Sequence, residues 1–174
     1  VAIGYNAGYI STAALQTTQL AVADGNRTPS VYIGKEAGMD TVSYGNIGIG
    51  EKAGKGLSSA STGRSIMIGI SAGEGMTSTD NANPTFPGFG AGANILVGNA
   101  AGQQYKGDGT VALGNLAGRY ATGDNNLLFG HLAGSASTHD RSIIMGPHSG
   151  FNNVNNDRAI VIGNGSNMNI TTAT

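Results

Sequence analysis

The sequence predicts an all-β chain wound as a parallel β-solenoid, a β-roll or β-helix whose coils take about 16 residues each. Three observations carry that expectation. An apolar triplet closed by glycine recurs nine times; the step between successive motif glycines settles at 16; and glycine supplies 30 of 174 residues without the every-third spacing of a collagen. Self-similarity at a fixed step marks an architecture in which one repeat cannot bury its apolar side chains alone and does so against the repeats above and below it.

The first copy is Val1-Ala2-Ile3-Gly4-Tyr5-Asn6-Ala7-Gly8. Three apolar, largely β-branched residues read as a short strand, and the glycine after them as a corner, because only glycine takes a positive φ without steric cost. A second glycine four places on, behind Ala or Ser, gives another bend. Further copies begin at Val31, Ile47, Ile66, Ile95, Val111, Leu127, Ile143 and, in degenerate form, Ile160. Their corner residues are Gly4, Gly34, Gly50, Gly69, Gly98, Gly114, Gly130, Gly146 and Gly163, at steps of 30, 16, 19, 29, 16, 16, 16 and 17. Strands stacked in register at about 4.8 Å would make a rod roughly 40 Å long.

The two long steps place insertions at 9–30 and 74–94, which in a solenoid map to surface loops. Within the first, Ala13 to Ala23 is the one window with a hint of helical periodicity. The second gathers Pro84, Phe86, Pro87 and Phe89. Phe86 and Phe89 on a proline-stiffened loop are candidates for contact with a partner or a sugar; the alternative is that both rings fold back onto the rod or a neighbouring chain. Residues 1–174 form a single repeat domain on this reading, a segment of a longer chain, since Val1 is already a strand residue and neither end carries a polar capping repeat.

Strand side chains alternate, so the first and third motif positions share one face and the second takes the other. With the first and third taken as inward, the outward column reads Ala2, Tyr32, Gly48, Met67, Leu96, Ala112, Leu128, Ile144 and Val161, free of charge. An unbroken apolar strand implies cover on both faces. Helical pattern is too scarce to supply it, so the expected cover is other copies of the same chain around an axis along the rod. On this reading Leu128→Asp disrupts the protein as much as Phe129→Asp.

Polar columns follow the same register. Ser30, Asn46, Ser65, Asn94, Thr110, Asn126 and Ser142 each precede a strand and, stacked, can hydrogen-bond from coil to coil. Asp108, Asp124, Asp140 and Asp157 each stand six places before a corner glycine. Carboxylates so close must be splayed, paired with Arg141 and Arg158, bridged by a cation such as Ca²⁺, or engaged by local N–H groups in Asx-type turns. These four are the only candidate metal ligands of the acidic columns.

Other motifs point to chemistry less well. Gly48-Ile49-Gly50-Glu51-Lys52-Ala53 has dinucleotide-fingerprint spacing but is one of nine equivalent coils, with no βαβ unit around it. Gly50 to Gly56 with Lys55 is one residue short of a phosphate loop and lacks the Ser or Thr after Lys. His131, His139 and His148 have no metal-ligand spacing, so a site would need convergence across coils or chains, and solvated or ladder histidines are expected. Glu36 and Glu51 occupy neighbouring corners at different register places and read as surface residues rather than the paired acids of a glycosidase. No catalytic constellation or resident cofactor is expected.

Charged residues are only 11% of the chain and the net charge is −1, so no basic field exists to attract nucleic acid or an anionic membrane. No apolar run reaches eighteen residues, and no membrane insertion is expected. Cysteine is absent, which rules out a disulfide framework.

The runs Val1-Ala2-Ile3-Gly4, Ile47-Gly48-Ile49-Gly50, Val111-Ala112-Leu113-Gly114 and Ile160-Val161-Ile162-Gly163 resemble the head repeat of trimeric autotransporter adhesins of the YadA type. The longer form, with Ala-Gly four residues on and a strand led by Asn or Ser, is similar to repeats in bacteriophage tail fibres. The resemblance spans nearly the whole chain. It implies a homotrimeric, extracellular fibre on a virion or a cell surface that presents loops to a host-surface receptor such as a polysaccharide. A phage tail fibre is the favoured reading; a bacterial trimeric adhesin and a polysaccharide-degrading tailspike are the alternatives. The 16-residue step and the two long insertions depart from the family pattern.

Overall fold

The structure is a computed structural model that describes residues 1–8, 30–41, 45–57, 64–77, 93–154 and 157–167. The window from Ala13 to Ala23, Phe86, Phe89 and most of the 9–30 and 74–94 insertions lie outside the described residues.

Nine strands follow one another: β1 (Ala2–Ile3), β2 (Val31–Ile33), β3 (Ile47–Ile49), β4 (Ile66–Ile68), β5 (Ile95–Val97), β6 (Val111–Leu113), β7 (Leu127–Phe129), β8 (Ile143–Met145) and β9 (Ile160–Ile162). They form one sheet in strict sequence order, every pair parallel. The register is the repeat itself: Leu96 pairs with Ala112, Ala112 with Leu128 and Leu128 with Ile144. The described chain is thus an all-β parallel solenoid with coils of about 16 residues. A second line of bridges, Thr77 to Lys106 to Thr122 to Thr138, joins the far side of four coils.

The structure reverses the expected strand faces. The second position points inward: Met67, Leu96, Ala112, Leu128 and Ile144 are fully buried, whereas Ile33, Ile49, Ile68, Ile95 and Phe129 at first or third positions are exposed. The reason is volume. A 16-residue coil encloses room for one strand side chain, and the pair of positions that flank it must stand outside. The expectation of two apolar faces survives, with the sides exchanged.

Two more columns complete the core. Three residues after the corner glycine stand Ala37, Ala53, Ala72, Ala101, Ala117 and Ala133, all at 0% exposure. Seven residues after it stand Leu57, Met76, Tyr105 and Ala121, buried to the same degree. The columns trade volume between coils. Gly48 leaves its place to the Tyr32 ring, which a Cβ on Gly48 would meet at 2.8 Å. Ala112 is small in the coil that receives Tyr105. Protein interiors tolerate little net change in volume, so a large residue in one coil is matched by a small one in the next.

The corners explain the glycine count. Gly114, with φ of 141°, lies so close to the next coil that a Cβ would sit 2.5 Å from the Gly130 carbonyl oxygen. Backbone therefore stacks on backbone down this edge. Two places on, non-glycine residues also hold a left-handed backbone: Glu36, Lys52, Ala100, Leu116 and Leu132 have φ between 50° and 62°. Each such residue costs roughly 1–2 kcal/mol. A coil-to-coil bond holds it there, as in Leu116 N–H to Asn99 O at 2.8 Å and Leu132 N–H to Asn115 O at 3.0 Å. The next glycine donates the other way, Gly118 N–H to Ala133 O at 2.9 Å. Turn amides thus alternate between the coil before and the coil after.

Candidate functional site

Two hydrogen-bonded ladders, one ridge of corner side chains and one uncovered apolar face are the features with which this rod can interact. The inner ladder is built from the polar residue before each strand. Each side chain accepts the backbone N–H of its counterpart in the next coil: Ser30 Oγ from Asn46 at 3.1 Å, Asn46 Oδ1 from Ser65 at 3.0 Å, Ser65 Oγ from Asn94 at 3.3 Å, Asn94 Oδ1 from Thr110 at 2.8 Å, Thr110 Oγ1 from Asn126 at 3.3 Å and Asn126 Oδ1 from Ser142 at 2.9 Å. Ser142 Oγ closes the run by accepting from Ala159 at 3.2 Å. The coil-to-coil bonding expected of this column is therefore present.

Hydroxyl and amide alternate along it. The amides reach across the coil: Asn126 Nδ2 donates to His139 O at 2.7 Å and to the Tyr105 hydroxyl at 3.1 Å, and Asn46 Nδ2 to the Tyr32 hydroxyl at 3.4 Å. Tyr105 donates to the Gly123 carbonyl. Burial pushes its phenol well above the usual tyrosine range, so it stays a neutral donor.

The acidic column forms a second ladder that runs in the opposite sense. Asp124 Oδ1 accepts the N–H of Asp108 at 2.8 Å, Asp140 Oδ1 that of Asp124 at 2.7 Å, and Asp157 Oδ1 that of Asp140 at 3.0 Å. Asp124, Asp140 and Asp157 thus accept backbone N–H groups of the preceding coil. Asp108 is buried, Asp124 half-buried, and Asp140 and Asp157 are exposed. Among the described residues no group of three or more His, Cys, Asp or Glu is arranged to hold a metal ion.

The corner side chains form ion pairs along one edge. Lys55 meets Glu36 at 2.6 Å, and Lys35 meets Glu51 at 3.7 Å. The Lys55 hydrogen bond holds the Glu36 carboxyl below its usual range against the smaller upward pull of desolvation. Further along, Glu74 accepts from Gln103 at 3.0 Å and Gln103 from Arg119 at 3.0 Å, and the Arg119 guanidinium lies 4.3 Å from the centre of the Tyr120 ring. Gly48 and Gly50, which mimic a nucleotide fingerprint, are packing glycines: one makes room for Tyr32, the other abuts the next coil at Gly69.

The three histidines divide. His139 is fully buried, correcting its reading as a solvated or ladder residue. Gly107 and Gly123 hold its register place in the two coils before it. His139 Nε2 lies 3.1 Å from Gly134 O, its ring centre 6.3 Å from that of Tyr105, and Nδ1 finds no hydrogen-bond partner among the described residues. Desolvation lowers its pKa. His131 and His148 instead meet at the surface, ring centres 5.3 Å apart.

The outer sheet face is the largest feature. Every first and third strand position is apolar, from Val1 and Ile3 to Ile160 and Ile162. Phe129 is 50% exposed and Ile68 38%, values high for β-branched and aromatic side chains in mid-sheet. Nine strands at about 4.8 Å and three residues at about 3.3 Å give a footprint of roughly 40 by 10 Å. That is within the roughly 300–600 Å² of the largest apolar patch on an ordinary monomer, and here it is one stripe along a single sheet. The sequence held the clue in the sizes: Gly48 and Ala112 suit a cramped interior, while the flanking positions stay uniformly large. No family model, no curated protein and no solved structure matches this chain.

Proposed function

We propose that this chain is a structural, receptor-binding segment of a homotrimeric extracellular fibre, in the favoured case a bacteriophage tail fibre, that holds host-attachment loops at a distance. The observation that supports it is the outer sheet face, a rigid apolar ladder that one copy of the chain leaves in water. A sister chain offers the same axial repeat, so its own ladder can interdigitate rung by rung. At roughly 400 Å² the stripe is about half of the 800 Å² per partner that a standard interface buries, so flanking corner residues join it.

The insertions 9–30 and 74–94, with Phe86 and Phe89, are the proposed attachment loops. Three copies on one axis multiply weak contacts with a repetitive receptor such as a surface polysaccharide. No catalytic role enters this reading. Mass measurement in solution tests it: the expected mass is three times that of one chain, and a well-behaved monomer overturns it.

A further inference from the structure

We propose that His131 and His148 form a two-imidazole site for a borderline transition-metal ion, Cu²⁺ in the first place. Imidazole nitrogen suits this metal, and two nitrogens with oxygen ligands match its tetragonal preference. Among the described residues no third His, Cys, Asp or Glu joins the pair, so water completes the coordination sphere.

The two rings belong to successive coils, at the corners after β7 and β8. Their main chains are joined directly, His148 N–H donating to His131 O at 2.8 Å. That bond and the stacked corner glycines Gly130 and Gly146 fix both Cα positions before any metal arrives. Pro147 stiffens the second corner between Gly146 and His148. The ring centres are 5.3 Å apart with planes at 65°. A shared metal demands nearly that spacing. With metal–nitrogen bonds of about 2.0–2.1 Å and a ring centre about 1.1 Å further on, two rings at about 90–110° around one ion have centres about 4.5–5.2 Å apart. His131 is exposed and His148 half-buried, and the Phe151 ring centre lies 6.3 Å from that of His148 with the planes at 67°. In the proposed site, rotation about χ2 of each ring directs one nitrogen of each to the shared ion. His139, inside the coil, takes no part.

The test is calorimetric titration of Cu²⁺ into the intact chain, with electron paramagnetic resonance of the loaded protein. One ion per chain is expected, coupled to two imidazole nitrogens. Asparagine stands at the His131 register place in the two preceding coils, as Asn99 and Asn115, and tolerates the left-handed backbone of His148, φ 58°. His131→Asn and His148→Asn therefore keep the fold, which the melting temperature of the metal-free proteins checks. Each is expected to lower affinity about a hundredfold, the gain that a second tethered ligand supplies, and to leave one-nitrogen coupling. Asp140→Asn is expected to bind as the unaltered chain does. If His131→Asn, an exposed corner change, binds Cu²⁺ unchanged, or if Asp140→Asn is the variant that loses it, the site is not this pair.

Discussion

Leu128 and Phe129 are neighbours in one strand of the same ladder, equally apolar, and one is sealed inside the coil while the other is half in water. The inner column is irregular: it runs through Tyr32, Gly48, Met67, Leu96 and Ala112, and the bulk of Tyr32 is answered by Gly48 in the next coil. The outer columns are monotonous, almost all Val, Ile and Leu. An interior closed by its own chain must be fitted residue by residue. A face that meets another regular ladder has only to keep its pitch and stay free of charge. The difference assigns folding to the inside and assembly to the outside.

The largest test of that division is to place the same charge on each side. Leu128→Asp puts an unpaired carboxylate where no water reaches and is expected to cost more than about 4 kcal/mol, enough to lose the folded coil stack. Phe129→Asp is expected to change the stability of one chain by only about 0.5 kcal/mol, as surface changes do, while shifting the mass in solution toward monomer. Circular-dichroism melts with mass measurement on both variants decide. Equal losses of fold would restore the expectation that both faces contribute alike.

The two polar ladders offer a smaller contrast of the same kind. Asn126→Ala removes an acceptor for Ser142 and donors for Tyr105 and His139 O, all buried, and should cost about 1–3 kcal/mol for each group left unsatisfied. Asp140→Ala frees one N–H at an exposed rung, where water replaces the lost acceptor, and should cost about 0.5–1 kcal/mol. Denaturant midpoints at fixed m-value measure both.

His139 gives the smallest effect, one confined to mild acid. Its pKa is lowered in the folded chain by burial, so below about pH 6.5 the unfolded chain takes up a proton that the folded one refuses. The stability it confers is complete above that value and falls as pH drops toward the folded pKa, by at most about 1.4 kcal/mol per unit. Glu36, held low by Lys55, gives its stability above the ordinary glutamate range and loses it only in stronger acid, so the windows separate. Melts between pH 5 and 7.5 on the unaltered chain and on His139→Gln check this. An equal slope in both removes the role of His139.

Much of this architecture could be read directly. A period of 16, a triplet and two glycines dictate parallel in-register strands, and the alternation of Ser or Thr with Asn before each strand announces a coil-to-coil ladder. The left-handed corners at Leu116 and Leu132 were not readable, because nothing in a leucine signals positive φ; the inter-coil bonds of the neighbours impose it. The burial of His139 was hidden for a like reason. A histidine at a glycine place looks like a surface residue until its ring is seen beside Tyr105 and the Gly134 carbonyl.

The order of the strands, their pairing and the greasy character of both strand faces were determined by the sequence alone, since a repeat that matches itself at one offset has one self-consistent stacking. Which face is inside was decided only in three dimensions. Apolar residues at all three positions carry no contrast by which alternation could be oriented, and the enclosed volume of a 16-residue coil, which admits one side chain per strand, broke the tie. The meeting of His131 with His148 is of the same origin: residues 17 apart in the chain become neighbours only once the winding stacks their corners.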